Sequence, residues 1–453
     1  MKRWILVIWI AVATVGSTYA ATVGSTYAAT MNNSYSKKNL ASAYSIKNFA
    51  EQTPGGDYTI VLALSGGGTR AAAIAYGVLK ALRAETLPEN DHQSLLDEVD
   101  VISSVSGGSF VAAYYGLFGE KIFSQFEEDF LYYDVDGDLV GALLDPTKWF
   151  SDQNRTDKAI EYYQNRLFKG ATFADLQQAG GPLVIINASD LGNGVRFSFL
   201  QEYFDPLCSE LSSYPVANAV AASSAVPVVF NPVVLKNHDT CDTSKNRFLE
   251  GDVGNVPAIT RSTVYGLLGY KDKEKRKFVH LIDGGITDNL GLLSLYDTAK
   301  IAGRDLEFYE SRRKKPSSHY VIISVDASAV PENSFNLSAE EPSITDTVSA
   351  MSNIQFLRYN ASTRNTVEEW MQEYVETSAE YGNSVKTYFV NINLSPSAVL
   401  DDKTRKFLND IPTALSLEKE QVDAAILEGY SQLQNNPDFV RFRQDIRKDM
   451  KKD

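Results

Sequence analysis

An α/β fold with a largely parallel central sheet is the expectation that this sequence raises, and three observations carry it. Apolar β-type runs at 58–64, 99–105, 183–187, 278–282 and 320–325 alternate with segments of helical composition, as in a parallel sheet with crossover helices. Two of these runs end in glycine- or serine-rich turns that lead directly into helical stretches of small residues. A third ends in an acidic residue followed by two glycines. Polar residues thus gather at strand ends, where open α/β sheets place their sites.

The 453 residues, 44% of them hydrophobic, suffice for a large core. Against 57 acidic side chains stand 43 basic ones, a net charge of −14. That balance argues against nucleic acid or any partner held by phosphate neutralisation. It also opposes adsorption to anionic lipid, so peripheral membrane contact would have to rest on insertion of apolar side chains.

Lys2 and Arg3, the apolar residues 4–12 and the small residues up to Ala20 have the layout of a secretory signal. The unit Ala-Thr-Val-Gly-Ser-Thr-Tyr-Ala occurs twice in succession, which leaves cleavage after Ala20, Ala28 or Ala29 open. A signal peptide over 1–28 implies export to periplasm, cell surface or medium, and its apolar core is too short to span a bilayer. Residues 29–56, rich in Ser, Asn and Lys, read as a linker. The alternating runs define a main domain over 57–330, and 331–453 is expected to be a mostly helical extension packed on it. In that extension Val422, Ala425, Ile426 and Tyr430 recur at helical spacing. Between 119 and 180, the aromatics Phe123, Phe126, Phe130, Trp149, Tyr162 and Tyr163 suit a helical insertion with its rings in the core, a lid being the second reading. The two cysteines, Cys208 and Cys241, either bridge in an oxidising compartment or stand as buried thiols.

Three motifs bear chemistry. In the first, Val61-Leu62-Ala63-Leu64 runs into Ser65-Gly66-Gly67-Gly68-Thr69-Arg70 and a helical stretch. Unshielded backbone N–H groups at a helix N-terminus stabilise an anion. A dinucleotide loop would need glycine where Ala71 stands, and a P-loop would need Gly-Lys-Ser/Thr. In the second, residues 99–105 lead into Ser106-Gly107-Gly108-Ser109, a layout resembling a nucleophile elbow, with Ser104 in place of the usual first glycine. The third, His280-Leu281-Ile282-Asp283-Gly284-Gly285-Ile286-Thr287-Asp288-Asn289, sets an aspartate at a strand end. Together they supply a nucleophile, a base and oxyanion donors, the parts that acyl transfer requires.

In these blocks and in their order, the chain resembles the patatin-like phospholipases. The resemblance implies a three-layer α/β/α sandwich with a mainly parallel sheet and a Ser-Asp dyad. It assigns Ser106 as nucleophile, Asp283 as base, Gly66, Gly67, Gly68 and Arg70 to the oxyanion loop, and Ser104, Gly107, Gly108 and Gly284 to the supporting turns. The segment Ala221-Ala222-Ser223-Ser224-Ala225-Val226-Pro227 resembles a further family block, and Asn187-Ala188-Ser189-Asp190 falls where the family has a central strand and turn. The resemblance implies cleavage of acyl esters, phospholipids foremost; no cofactor or metal is expected. An esterase or thioesterase on soluble acyl compounds and a non-catalytic exported lipid-binding protein are the other readings.

The chain contains four histidines, His92, His238, His280 and His319, so counting alone leaves a Ser-His-Asp triad open. Strand alternation sets His280 on the face opposite Asp283, which makes their cooperation awkward, and the resemblance is what chiefly favours a dyad. An aspartate ordinarily ionises near pH 4, so as a base Asp283 needs burial or good positioning. Asp134, Asp136 and Asp138 lack the spacing of a calcium loop, and Arg312, Arg313, Lys314 and Lys315 read as a solvated run.

Overall fold

The computed structural model describes residues 32–34, 43–52, 57–87, 90–135, 155–227, 229–243, 256–302, 317–330, 334–337, 339–399 and 401–449. The expected signal peptide, most of the 29–56 linker, Trp149, Asp136, Asp138 and the basic run at 312–315 lie outside the described residues.

Eight strands form one mixed sheet: β1 (Tyr58–Leu64), β2 (Val99–Val105), β3 (Leu183–Asp190), β4 (Val195–Ser198), β5 (Val233–Lys236), β6 (Phe278–Asp283), β7 (His319–Asp326) and β8 (Lys386–Asn393). Their spatial order is β8-β7-β1-β2-β3-β6-β5, with β4 paired to β3. From β8 to β3 the neighbours are parallel. Beyond β3 the direction reverses, because β6 is antiparallel to both β3 and β5. The central strand β1, Tyr-Thr-Ile-Val-Leu-Ala-Leu, is buried almost throughout, as a parallel strand covered on both faces must be. Edge strand β8 instead alternates buried and part-exposed residues.

The helices that matter below are α1 (Gly68–Ala84), α2 (Gly107–Phe118), α3 (Val216–Ser223), α4 (Ala258–Leu268), α5 (Leu292–Ala302), α6 (Ile344–Glu380), α7 (Asp402–Asp410), α8 (Lys419–Asn435) and α9 (Pro437–Asp449). The architecture is the three-layer α/β/α sandwich with a mainly parallel sheet. In the third nearest the C-terminus, expected to be mostly helical, the helices are accompanied by an edge strand, β8, that the sequence reading did not single out. The Val422, Ala425, Ile426 face of α8 is buried and packs on α1 at backbone contact. A Cβ on Gly77 would lie 2.1 Å from the Ile426 carbonyl oxygen, and one on Gly429 would lie 2.1 Å from that of Ile74. Larger residues at this reciprocal pair would force the helices apart.

Of the aromatics between 119 and 180, Phe126, Phe130 and Tyr163 are buried. Phe130 stacks on Phe110 with ring centroids 4.4 Å apart, so these rings are core. No helix among the described residues is long and apolar enough to cross a membrane.

Cys208 and Cys241 are bonded across a sequence separation of 33. By loop-closure entropy such a link stabilises the fold by about 4 kcal/mol. Reduction is therefore expected to lower the urea midpoint clearly, and equal midpoints with and without reductant would refute that contribution.

Candidate active site

The site is assembled where β1, β2 and β6 end. At the end of β2 the chain turns into α2 through Ser106, which adopts φ 48° and ψ −118°. This is a strained conformation for a residue with a Cβ, and it persists because the surroundings admit no other path. A Cβ on Gly107 would sit 2.0 Å from the Gly68 carbonyl oxygen, and one on Gly108 would sit 2.6 Å from that of Leu64. Only glycines allow the elbow, the oxyanion loop and β1 to meet at these distances. Below the tip, the Ser106 N–H donates to Ser223 Oγ at 2.8 Å, and Ser223 Oγ donates to the Asn187 carbonyl at 2.6 Å. Ser104 fits in the glycine position because its hydroxyl is buried and donates to the Ile185 carbonyl at 3.2 Å.

Ser106 Oγ donates to Asp283 Oδ2 at 2.8 Å. The other carboxylate oxygen of Asp283 accepts the Gly285 N–H at 2.7 Å. The backbone N–H groups of Asp283 and Gly284 donate to the carbonyls of Ala225 and Ser223, both at 3.0 Å. The segment that follows α3 therefore clamps the aspartate turn. Asp283 is buried, and desolvation pushes its pKa up to about 6 against the opposing Gly285 and Ser106 hydrogen bonds.

Asp283 stands at the carboxyl end of its strand, as expected, but that strand enters from the opposite side of the molecule. It still reaches Ser106 because β3 outruns β2. Val105 pairs with Asn187 and Asp283 pairs with Ala188, the next residue.

The glycine loop divides into anchors and free donors. The Gly66 N–H, expected among the oxyanion donors, donates to the Asn289 carbonyl at 3.1 Å, and the Thr69 N–H donates to the Ala414 carbonyl at 2.9 Å. Gly67 (φ 137°) and Gly68 (φ 62°) hold backbone conformations suited to glycine. Their N–H groups open α1 and meet no acceptor among the described residues. A Cβ on Gly66 would lie 3.3 Å from Ser106 Cβ, which sets the loop beside Ser106. Arg70, also expected in the oxyanion loop, turns away. Its guanidinium donates to the carbonyls of Ala327 and Ile411 and to Thr413 Oγ1, so the charge anchors the segment before α8 and does not face Ser106.

Sequence reading missed three supporting residues. Ser223 carries the elbow, Asn187 carries Ser223, and Asn289, buried, ties the glycine loop to the aspartate turn. All three lie inside blocks singled out above, so their location was available but their roles were not.

Neither Ser106 nor Asp283 is bonded to a described histidine. His280 is exposed on β6. His319 begins β7, at the far end of the parallel strands, where it meets Asp449 at 3.3 Å. A ring nitrogen of His238 is 3.1 Å from the Asn32 carbonyl. No group of His, Cys, Asp and Glu that could hold a metal occurs among the described residues.

Fold and site define the class: a three-layer α/β/α protein with a serine at a sharp strand-to-helix turn, bonded to a buried aspartate. A family model described as patatin-like phospholipase matches residues 62–296, just over half of the chain, and the chain belongs to that family. Among solved structures, human GIVD cytosolic phospholipase A2 is similar at a TM-score of 0.38 and 10% identity, over 89% of this chain. This chain spans 65% of the length of that one. No curated protein matches.

Proposed function

We propose that this protein is a phospholipase A-type lipolytic acyl hydrolase working through Ser106 and Asp283. The observation that carries the reading is the 2.8 Å bond from the strained Ser106 hydroxyl to a buried carboxylate. A carboxylate with its pKa near 6 is a better base than an ordinary aspartate, yet still ionised at neutral pH. Ser106 Oγ attacks the acyl carbonyl carbon while Asp283 takes its proton. The oxyanion develops toward the free N–H groups of Gly67 and Gly68 at the start of α1. Asp283 returns the proton to the departing alkoxide, leaving an acyl-Ser106. Water, deprotonated by the same carboxylate, attacks the acyl carbon; the bond to Ser106 Oγ breaks, Asp283 returns the proton to that oxygen, and the fatty acid leaves.

Family membership and exposed apolar residues near Asp283 favour a lipid over a small soluble ester. A fluorophosphonate is expected to label one serine per chain, lost in Ser106→Ala, and fatty acid is expected from long-chain phosphatidylcholine. Labelling elsewhere would overturn the nucleophile, and hydrolysis confined to short p-nitrophenyl esters would transfer the reading to an esterase. Export belongs to the proposal through the N-terminal pattern alone, and the N-terminal sequence of the mature protein tests it.

A further inference from the structure

We infer that the first turns of α6, with the apolar rim beside the Asp283 turn, are a docking surface for an uncharged, zwitterionic lipid bilayer. The inference rests on the lipolytic reading above and adds where the enzyme meets its aggregated substrate.

Four large apolar residues, Ile344, Val348, Met351 and Ile354, follow one another at helical spacing and are 85%, 57%, 62% and 54% exposed. The helix keeps its form out to this end because Ser343 caps it, its hydroxyl accepting the Asp346 N–H at 3.1 Å. Just beyond the stripe, α6 is seated on the site. Phe356 lies against Gly285, 3.7 Å from where a Cβ would stand, and the Tyr359 hydroxyl donates to the Thr287 carbonyl at 3.0 Å. From Phe356 back to Ile344 is about 18 Å at the rise of an α-helix, so the stripe continues the helix that is seated on the aspartate turn and extends beyond that seat. Exposed Ile286 lies in that turn, and exposed Leu191 and Val330 follow β3 and β7. Those strands run parallel to β2, so Leu191 and Val330 emerge at the same end of the sheet as Ser106.

Charge selects the occupant. Residues 347–357 contain no charged side chain, whereas the distal part of α6 carries Glu368, Glu369, Glu373, Glu376 and Glu380. Apart from Asp346, whose N–H joins the cap, the first turns of α6 are uncharged, and the acidic side chains gather toward its far end. A chain of net charge −14 is repelled by anionic lipid, and an uncharged apolar stripe suits insertion into a neutral interface.

The test uses the full chain carrying Ser106→Ala, so that binding is read without turnover, on phosphatidylcholine vesicles by flotation. The inactive chain is expected to float with the vesicles, and adding Val348→Asp, Met351→Asp and Ile354→Asp is expected to weaken binding at least tenfold with the melting temperature unchanged. Equal binding by the two chains, or no binding by either, overturns the docking surface. A concentration-dependent dimer abolished by the triple substitution would assign the stripe to a second copy and also overturns it. Soluble-ester hydrolysis by the chain with Ser106 separates the proposals. Ester turnover without vesicle binding sinks the docking surface alone, and stripe-dependent binding without turnover on any ester sinks the catalytic reading alone.

Discussion

Ser106→Ala is expected to lower kcat/KM for ester hydrolysis by about 10⁴-fold or more, the scale on which nucleophiles act in a cooperating pair. Asp283→Asn should cost a comparable factor, because the amide keeps the shape but takes no proton. The double variant should be scarcely worse than either single one, since the two groups act as a unit. In the wild type, kcat/KM should fall about tenfold per pH unit below the Asp283 pKa of about 6. Linkage gives the opposite sign for stability. The folded state holds the Asp283 proton more tightly than the unfolded chain, whose value is near 3.8. Raising the pH from about 4 to about 6 therefore removes stability, up to about 3 kcal/mol, and the loss stays constant above that window. Asp283→Asn escapes it and is expected to be at least as stable as wild type at pH 8 while being inactive. Retained activity in either single variant, measured against both long-chain and short esters, would remove the dyad.

The second large effect concerns Gly107. Alanine there would bring its Cβ to 2.0 Å from the Gly68 backbone oxygen, and real Cβ contacts essentially never fall under 3.0 Å. Relief requires the oxyanion loop to move by over 1 Å relative to Ser106, and a displacement of that size costs about 100-fold in rate. Gly68 cannot easily yield, because a Cβ on it would meet the Ala414 carbonyl oxygen at 2.4 Å on its other side. Gly107→Ala is thus expected to lower kcat by about 100-fold or more and to destabilise by about 1–3 kcal/mol. Gly181→Ala serves as the comparison, since its Cβ would find ordinary contact at 3.6 Å. Equal kinetics for the two variants would refute the argument from packing.

Much of this was legible in the sequence, for reasons that can be stated. β1 and β2 were read to their last residues because both are apolar runs closed by glycine or serine turns. β3 was read three residues short, ending at 187, since its extension Ala188–Ser189–Asp190 is set by pairing with β4 and β6 and not by its own composition. β8 was overlooked within a helical region, although Tyr388, Val390 and Ile392 alternate with Thr387, Phe389 and Asn391 at the strand period. Strand direction left no mark. Nothing in Phe278–Asp283 distinguishes an antiparallel from a parallel entry, because pairing partners distant in sequence decide it. For the same reason the Arg70 anchorage and the Gly66 bond to Asn289 were invisible: both depend on where other segments arrive.

The contact between the glycine loop and residues 411–415, together with the seating of Gly429 on Ile74, also fixes a timetable for synthesis. Ser106 and the glycines that flank it belong to the first quarter of the 453 residues, and Asp283 is complete before the last third. The residues that hold Thr69, Arg70 and α1 in place are made more than a hundred codons after Asp283. A nascent chain therefore carries Ser106 and Asp283 before its glycine loop is braced, and the site is complete only near the end of elongation.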